Sequence, residues 1–259
     1  MTWTLRNAWT VTLRDLQHWR RQPAGLVIGL AFPVLLLLMF GFLFGGAISV
    51  PGGDYIEFLF PGMLVLSMVF GLETTMTAVQ QDVERGITDR FRALPMSRWA
   101  VVGGRALADM LSSVVGLLVL LVGGVVVGWR WHDGPGPALA AVGLLLLLRF
   151  AFLWIGVWFG LVARGPGTVV AVQILVWPFA FLSNAFVPAD SMPGWLGTIA
   201  EWNPMAATVT AARDLFGNPG VAGGGWATEH AILLAVAWPV LLTVVFASAS
   251  VRRYAGLGR

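Results

Sequence analysis

Neither cysteine nor lysine occurs anywhere in the 259 residues. The first absence removes disulfides, thiol nucleophiles and thiolate metal sites, and it leaves the redox compartment unreadable. The second excludes a Walker A phosphate loop, which needs a lysine to reach the outer phosphates of a nucleotide. Histidine is scarce: His18, His132 and His230 are scattered with no metal-ligand spacing. No Gly-x-Ser-x-Gly turn occurs either. Charged residues make up only 11% of the chain, and the basic ones sit beside apolar runs rather than in a free patch, which argues against nucleic-acid binding. Neither catalysis nor a bound metal or cofactor is expected of this chain.

What is abundant is apolar surface, with 58% hydrophobic residues and a mean hydropathy of +0.80. These values lie outside the soluble globular range and define an integral membrane protein. A spanning helix needs about 20 mostly apolar residues. Six stretches qualify, at 24–45, 57–79, 101–128, 138–162, 168–186 and 228–250. With both termini placed in the cytoplasm, Arg6, Arg14, Arg20 and Arg21 precede the first span, while Arg85, Arg90, Arg92, Arg98 and Arg105 surround the second-to-third connection. Arg164, Arg252, Arg253 and Arg259 fall on the same side, the opposite side receives Arg130 and Arg213, and Arg149 lies within a span. The asymmetry sets the expected orientation. Trp177-Pro178 predicts a kink in the fifth span.

The first 22 residues end in Arg-Arg-Gln-Pro and lack a signal-peptide cleavage pattern, so they are expected to be retained. At 100° per residue, Leu5, Trp9, Leu13, Leu16 and Trp19 share a stripe opposite Asn7, Arg14, His18 and Arg21. This predicts an amphipathic helix in the cytoplasmic interface, with Trp9 and Trp19 at headgroup depth and Arg14 toward anionic lipid. It is read either as a simple anchor or as one wall of a docking surface. Between spans two and three, Val83, Ile87, Phe91 and Leu94 form another apolar stripe, while Arg85, Asp89 and Arg92 are spaced for i,i+4 and i,i+3 pairing. Pro95 stops this helix, and Ser97 is suited to cap the next. So short a helix is marginal in water and must rest its stripe on lipid, on helix ends or on another protein.

Glu84-Arg85-Gly86 followed by Leu94-Pro95-Met96-Ser97-Arg98 resembles the pattern of ABC-2 type transporter permeases. Phe186-Val187-Pro188, Met192-Pro193-x-Trp195-Leu196, and Asn203-Pro204 with Arg213 are most similar to the daunorubicin-resistance type. The resemblance implies an all-α membrane protein of six transmembrane helices, with an N-terminal amphipathic interfacial helix at 1–23 and a six-helix domain at 24–259. It also implies a cytoplasmic coupling helix at 81–98 and short extracellular re-entrant helices within 187–227. A separate nucleotide-binding ATPase subunit, in two copies, would dock on Glu84, Arg85, Gly86, Arg90, Phe91, Leu94 and Pro95. ATP and Mg would be held by that partner, and a second permease half, identical or related, would complete the assembly in the bacterial plasma membrane. The direction implied is export of a drug, antibiotic or lipid-like molecule. Where relatives have a leucine-rich run, this chain has Asp89-Arg90-Phe91.

Buried charge supplies the remaining candidates. An exposed Glu73 in span two would cost about 2.5 to 3.5 kcal/mol on insertion scales, so it should face protein or water. Arg149 poses the same problem. A structural pair of Arg149 with Glu73 or with Asp109 and a substrate or proton role fit the sequence equally well. Arg105 and Asp109, one turn apart, are expected to support a helix end. Trp177, Phe181 and Asn184 are pathway candidates by resemblance, with core packing the alternative. Trp195, Trp202 and Trp226 read as an aromatic belt or as an exit lining. A different reading altogether is an ATP-independent secondary transporter or channel that uses Glu73 and Arg149; a membrane scaffold is a third.

Overall fold

The computed structural model describes residues 23–44, 53–86, 98–163, 165–186, 192–220 and 225–256. Along these residues run α1 (Pro23–Phe44), α2 (Tyr55–Glu84), α3 (Arg98–Val127), α4 (Pro135–Val162), α5 (Pro166–Phe181), α6 (Gly194–Glu201), α7 (Pro204–Phe216), the single turn α8 (Trp226–Glu229) and α9 (Ala231–Gly256). The N-terminal amphipathic helix, with Trp9, Arg14 and Trp19, lies outside the described residues, as do Arg90, Phe91, Leu94 and Pro95 of the coupling segment.

Local sequence explains the ends. Proline opens α4, α5 and α7 within the first turn, where its missing N–H costs nothing. Asn203 caps α7 by accepting from the Met205 amide, and Gly217 closes the same helix in the left-handed conformation. Gly86 takes a φ of +65° directly after α2. A side chain disfavours that conformation, which gives the glycine of the Glu-Arg-Gly motif a local reason: it turns the chain out of α2.

Four helical stretches, Tyr55–Glu84, Gly103–Val127, Pro135–Val162 and Ala231–Tyr254, are long and apolar enough to cross a membrane; Pro33–Leu43 and Gly167–Phe181 are shorter apolar stretches. Large hydrophobic side chains stand exposed along the bundle: Val115, Leu118, Val122 and Val126 on α3, and Leu233, Val240, Leu241 and Val244 on α9. So continuous an apolar exterior requires lipid or protein as its solvent. The core is centred on α2, with Phe58, Leu59, Phe60, Leu64, Val65 and Val69 fully buried.

The closest crossing joins α2 to α4 through Gly156 and Gly160, a small-xxx-small pair. A Cβ added at Gly156 would lie 2.8 Å from the Leu72 carbonyl oxygen, and one at Gly160 would lie 2.8 Å from that of Met76. Because backbone is the obstacle, no rotamer change relieves it. Gly160→Leu is therefore expected to cost at least the 1–3 kcal/mol typical of overpacking, read as a lower thermal unfolding midpoint of the purified protein in detergent. An unchanged midpoint would contradict this crossing.

The fifth apolar stretch departs from the sequence expectation. Pro178 is accommodated inside α5, but the helix stops at Phe181 rather than running to 186. Its 16 residues rise about 24 Å, short of a hydrocarbon core of about 30 Å. At the break, the Ser183 hydroxyl donates to the Ala180 carbonyl at 2.6 Å, competing with continued helix. Within 187–227, where short helices are expected, α6 and α7 are present.

Candidate functional site

Arg149 enters the bundle from α4 and is only 2% exposed. Its guanidinium lies against the backbone of Gly71, where a Cβ would come within 2.6 Å of Nε. Nε donates to the Ser113 hydroxyl at 2.7 Å and Nη2 to the Thr75 hydroxyl at 2.9 Å. Thr75 Oγ1 in turn lies 2.9 Å from Asp109 Oδ2, with the Gly71 carbonyl as its alternative acceptor at 3.0 Å. Ser113 donates to the Asp109 carbonyl oxygen at 2.8 Å. The expected Arg149–Asp109 association is thus made through hydroxyls: the threonine passes a guanidinium hydrogen bond on to a carboxylate across α4, α2 and α3. Such a network links two opposite charges in a medium of low dielectric, with Arg149 Nη1 left without a partner among the described residues.

Glu73 takes no part in this network. At 100° per residue, Gly71 and Thr75 point toward Arg149, and Glu73 falls about 180° from their mean direction. Glu73 shares its side of α2 with the partly exposed Phe70 and Thr77 and with the buried Leu66, Val69, Met76 and Gln80. One carboxylate oxygen of Glu73 is buried and has no hydrogen-bond partner among the described residues. The two charges that an ion-coupled pathway would combine therefore lie on opposite sides of one helix.

Beside Glu73, α5 contributes aromatic rings. Phe70 meets Trp177 with centroids 4.8 Å apart. Trp177 stacks on Phe181 at 6.0 Å, Phe181 on Phe186 at 5.0 Å, and Phe186 meets Phe40 of α1 at 5.1 Å. Phe181 remains half exposed. The sequence candidates Trp177 and Phe181 thus lie in one row of rings that reaches α2 at Phe70, one turn from Glu73, whereas Asn184 lies apart. Asn184 is buried, its amide donating to Thr210 Oγ1 at 2.8 Å, in the turn that follows α5.

That turn is held by Arg213. Nε donates to the Phe58 carbonyl at 2.8 Å, and Nη2 to the carbonyls of Asn184 and Ala185 at 3.0 and 3.1 Å. The guanidinium carbon sits 3.7 Å above the Phe58 ring. Asn203 assists by donating to the Phe179 and Leu182 carbonyls at 2.9 and 3.3 Å. Irregular backbone at membrane depth is tolerated only when its freed carbonyls find such donors. Burial drives the Arg213 guanidinium down to about 9, opposed by Asp214 and Tyr55, so it stays protonated at neutral pH.

At the other end of α2, Glu84, Arg85 and Gly86 form the described start of the connection to α3. Asp82, two residues before Glu84, pairs with Arg105 of α3. Arg105 therefore does not brace Asp109 within its own helix, as its spacing suggested; it bridges the two helices that flank 87–97. Gln80 donates to Glu84 across one turn of α2. Sequence reasoning singled out neither Thr75, Ser113, Asp82 nor Phe70. Thr75 and Ser113 carried a faint signal, as hydroxyls flanking intramembrane charge.

Long apolar helices and an apolar exterior define a multi-pass helical membrane protein. Residues 6–216 match the family described as ABC-2 type transporter, and the chain belongs to that family. It is 33% identical over 252 residues to the daunorubicin resistance ABC transporter permease protein DrrB1 of Streptomyces coeruleorubidus, covering 97% of this chain and 85% of that one. A probable doxorubicin resistance ABC transporter permease, DrrC of Mycobacterium tuberculosis, is 26% identical over 211 residues, 80% of this chain and 76% of the relative. The putative transport permease ycf38 of Cyanophora paradoxa is 28% identical over 204 residues, 77% of this chain and 70% of the relative.

Proposed function

We propose that the chain is the permease half of an ABC exporter. Two six-span halves, identical or related, form a twofold assembly in a bacterial plasma membrane, with both termini cytoplasmic. The substrate is hydrophobic or amphipathic: a drug, an antibiotic or a lipid-like molecule. ATP and Mg are held by two copies of a separate ATPase subunit docked on the connection around Glu84 to Pro95, and this chain contributes no catalytic group. The drug-resistance names of two relatives support the substrate class. The absence of lysine supports a separate ATPase.

The observation that carries the mechanism is the Asp82–Arg105 ion pair. It fastens together the two helices between which 87–97 is strung, so a push on that segment moves α2 and α3 as a unit. The Thr75, Ser113, Asp109 and Arg149 network then passes the motion to α4. Alternating access needs such rigid-body movement. Arg105→Asp is expected to lower transport per ATP hydrolysed at least fivefold while ATPase binding persists, and Asp82→Arg in the same chain to restore much of it. Failure of the exchanged pair to improve on Arg105→Asp would contradict a coupling role for the contact.

Affinity purification of the tagged chain with ATPase subunits of its own genome tests the assignment. A complex with two ATPase subunits that hydrolyses ATP is expected. Purification of a chain that binds none of them would overturn it.

A further inference from the structure

At the end of the bundle opposite the Asp82–Arg105 pair, the loop 128–134 joins α3 to α4 and packs against the end of α7. The His132 amide donates to the Phe216 carbonyl at 2.8 Å, the Trp129 indole to Asn218 Oδ1 at 2.8 Å, and the Asn218 side-chain amide to the Arg130 carbonyl at 2.8 Å. The same loop reaches α2 through a side chain, for His132 Nε2 lies 2.9 Å from Glu57 Oε1. One residue thus ties three elements, by its amide to α7 and by its ring to α2. A Cβ on Gly53 would lie 3.5 Å from the second Glu57 oxygen and 2.3 Å from the Pro219 ring. The carboxylate therefore sits where the chain entering α2 meets the chain leaving α7.

The other charges at this corner have different engagements. Arg130 donates to the Val125 and Trp129 carbonyls, and Arg213 to those of Phe58, Asn184 and Ala185. The Asp133 carboxylate lies under Gly217, where a Cβ would come within 2.8 Å of it. Asp54 precedes α2, and Asp214 follows Arg213 on α7. Among the described residues, the ion-pair partner of His132 is Glu57. Histidine is the side chain that changes charge near neutral pH. A neutral His132 offers Glu57 an ordinary N–H, whereas protonation turns the same contact into a charge-assisted hydrogen bond, roughly twice as strong. With 49% of its side chain exposed, His132 is open to exchange protons with water.

We propose that His132 and Glu57 form an acid-strengthened latch that holds the loop between α3 and α4 onto α2 and α7. The latch is tightest in acid and loosens as pH rises. Its consequence rests on the exporter reading above, in which this end faces outside, so that acid outside slows the parting of the outer helix ends. The latch itself needs neither ATP nor a partner.

Hydrogen–deuterium exchange of the full chain in lipid nanodiscs tests it, at pH about 5.5 and about 8, on either side of the value near 6.5 where an ordinary histidine titrates. Rates divided by the intrinsic rate at each pH give the protection of the short peptide carrying the His132 amide, whose bond to Phe216 reports closure. Wild-type protection is expected to be about threefold greater at the lower pH, the scale of a partly exposed ion pair. His132→Gln and Glu57→Gln, which keep polar side chains but no charge pair, are each expected to show equal protection at both pH values. Amides of α9, measured in the same samples, verify that all three proteins remain folded. Equal wild-type protection at the two pH values, or a pH effect that survives in either variant, would overturn the proposal. No ATPase is present in the assay, so failure of the latch and failure of the exporter reading are separable.

Discussion

Leu94→Asp should leave the chain in the membrane and strip it of its ATPase. At helical spacing, Val83, Ile87, Phe91 and Leu94 would share one side of the segment between spans two and three. A helix of that length gains its order from what covers the stripe. If a protein groove covers it, a carboxylate at position 94 must be desolvated on docking, at a cost of several kcal/mol. Each 1.4 kcal/mol is about tenfold in affinity, so co-purified ATPase is expected to fall at least tenfold. Insertion is decided by the apolar spans, which this change does not touch. The checks are the ratio of ATPase to permease in a pull-down and the membrane-bound fraction of the variant. An unchanged ratio would place the stripe on lipid instead.

Arg213→Leu should remove folded protein altogether. The substitution removes the donor to the Asn184 and Ala185 carbonyls and a second donor to the helical carbonyl of Phe58. Each buried carbonyl left unsatisfied costs about 1–3 kcal/mol, so that two of them take a large part of the roughly 5–15 kcal/mol that keeps a typical protein folded. Arg213→Lys should do little better. Its ammonium is a point charge on a flexible stem, whereas the acceptors are arranged for a planar fork, and the Phe58 ring is placed for a guanidinium. Size-exclusion chromatography of detergent extracts is expected to show less than a tenth of the wild-type monodisperse peak for the leucine variant. A peak of wild-type size would mean that the turn after α5 is held by something other than Arg213.

Arg213 also marks the limit of what the sequence disclosed. Its place on a short helix after the fifth apolar stretch was legible, because Asn203-Pro204 and Gly217 bracket that helix with cap chemistry. Its task was not, since one acceptor is the carbonyl of Phe58, 155 residues away. Backbone acceptors carry no side-chain signature. The sequence misplaces the end of α5 for the same reason: hydrophobicity continues through Phe186, while the donors Arg213, Asn203 and Ser183 make leaving the helix at Leu182 tolerable.

The apolar helices themselves were readable from run length alone, whereas the spacing of Gly156 and Gly160 does not name the helix they cross, which is α2. Glu73 and Arg149 stood out as costly charges. Which side of α2 each occupies depends on how the helix is rotated, and the weak amphipathicity of so apolar a segment does not fix that. The rotation became visible once Gly71 was seen to make room for Arg149 and Thr75 to receive it. Arg105 was assigned to the wrong aspartate because a same-helix spacing to Asp109 is visible in one dimension, while the contact with Asp82 requires two helices to meet.

The central claim is that ATP hydrolysed by a separate subunit drives movement through this chain. Inside-out vesicles containing the permease and its co-purified ATPase, loaded externally with ethidium as a fluorescent amphipathic probe, test it most directly. The account predicts ATP-dependent uptake that persists when ionophores collapse the proton and sodium gradients and disappears in Leu94→Asp. Uptake that needs no ATP and vanishes with the ion gradients would contradict it.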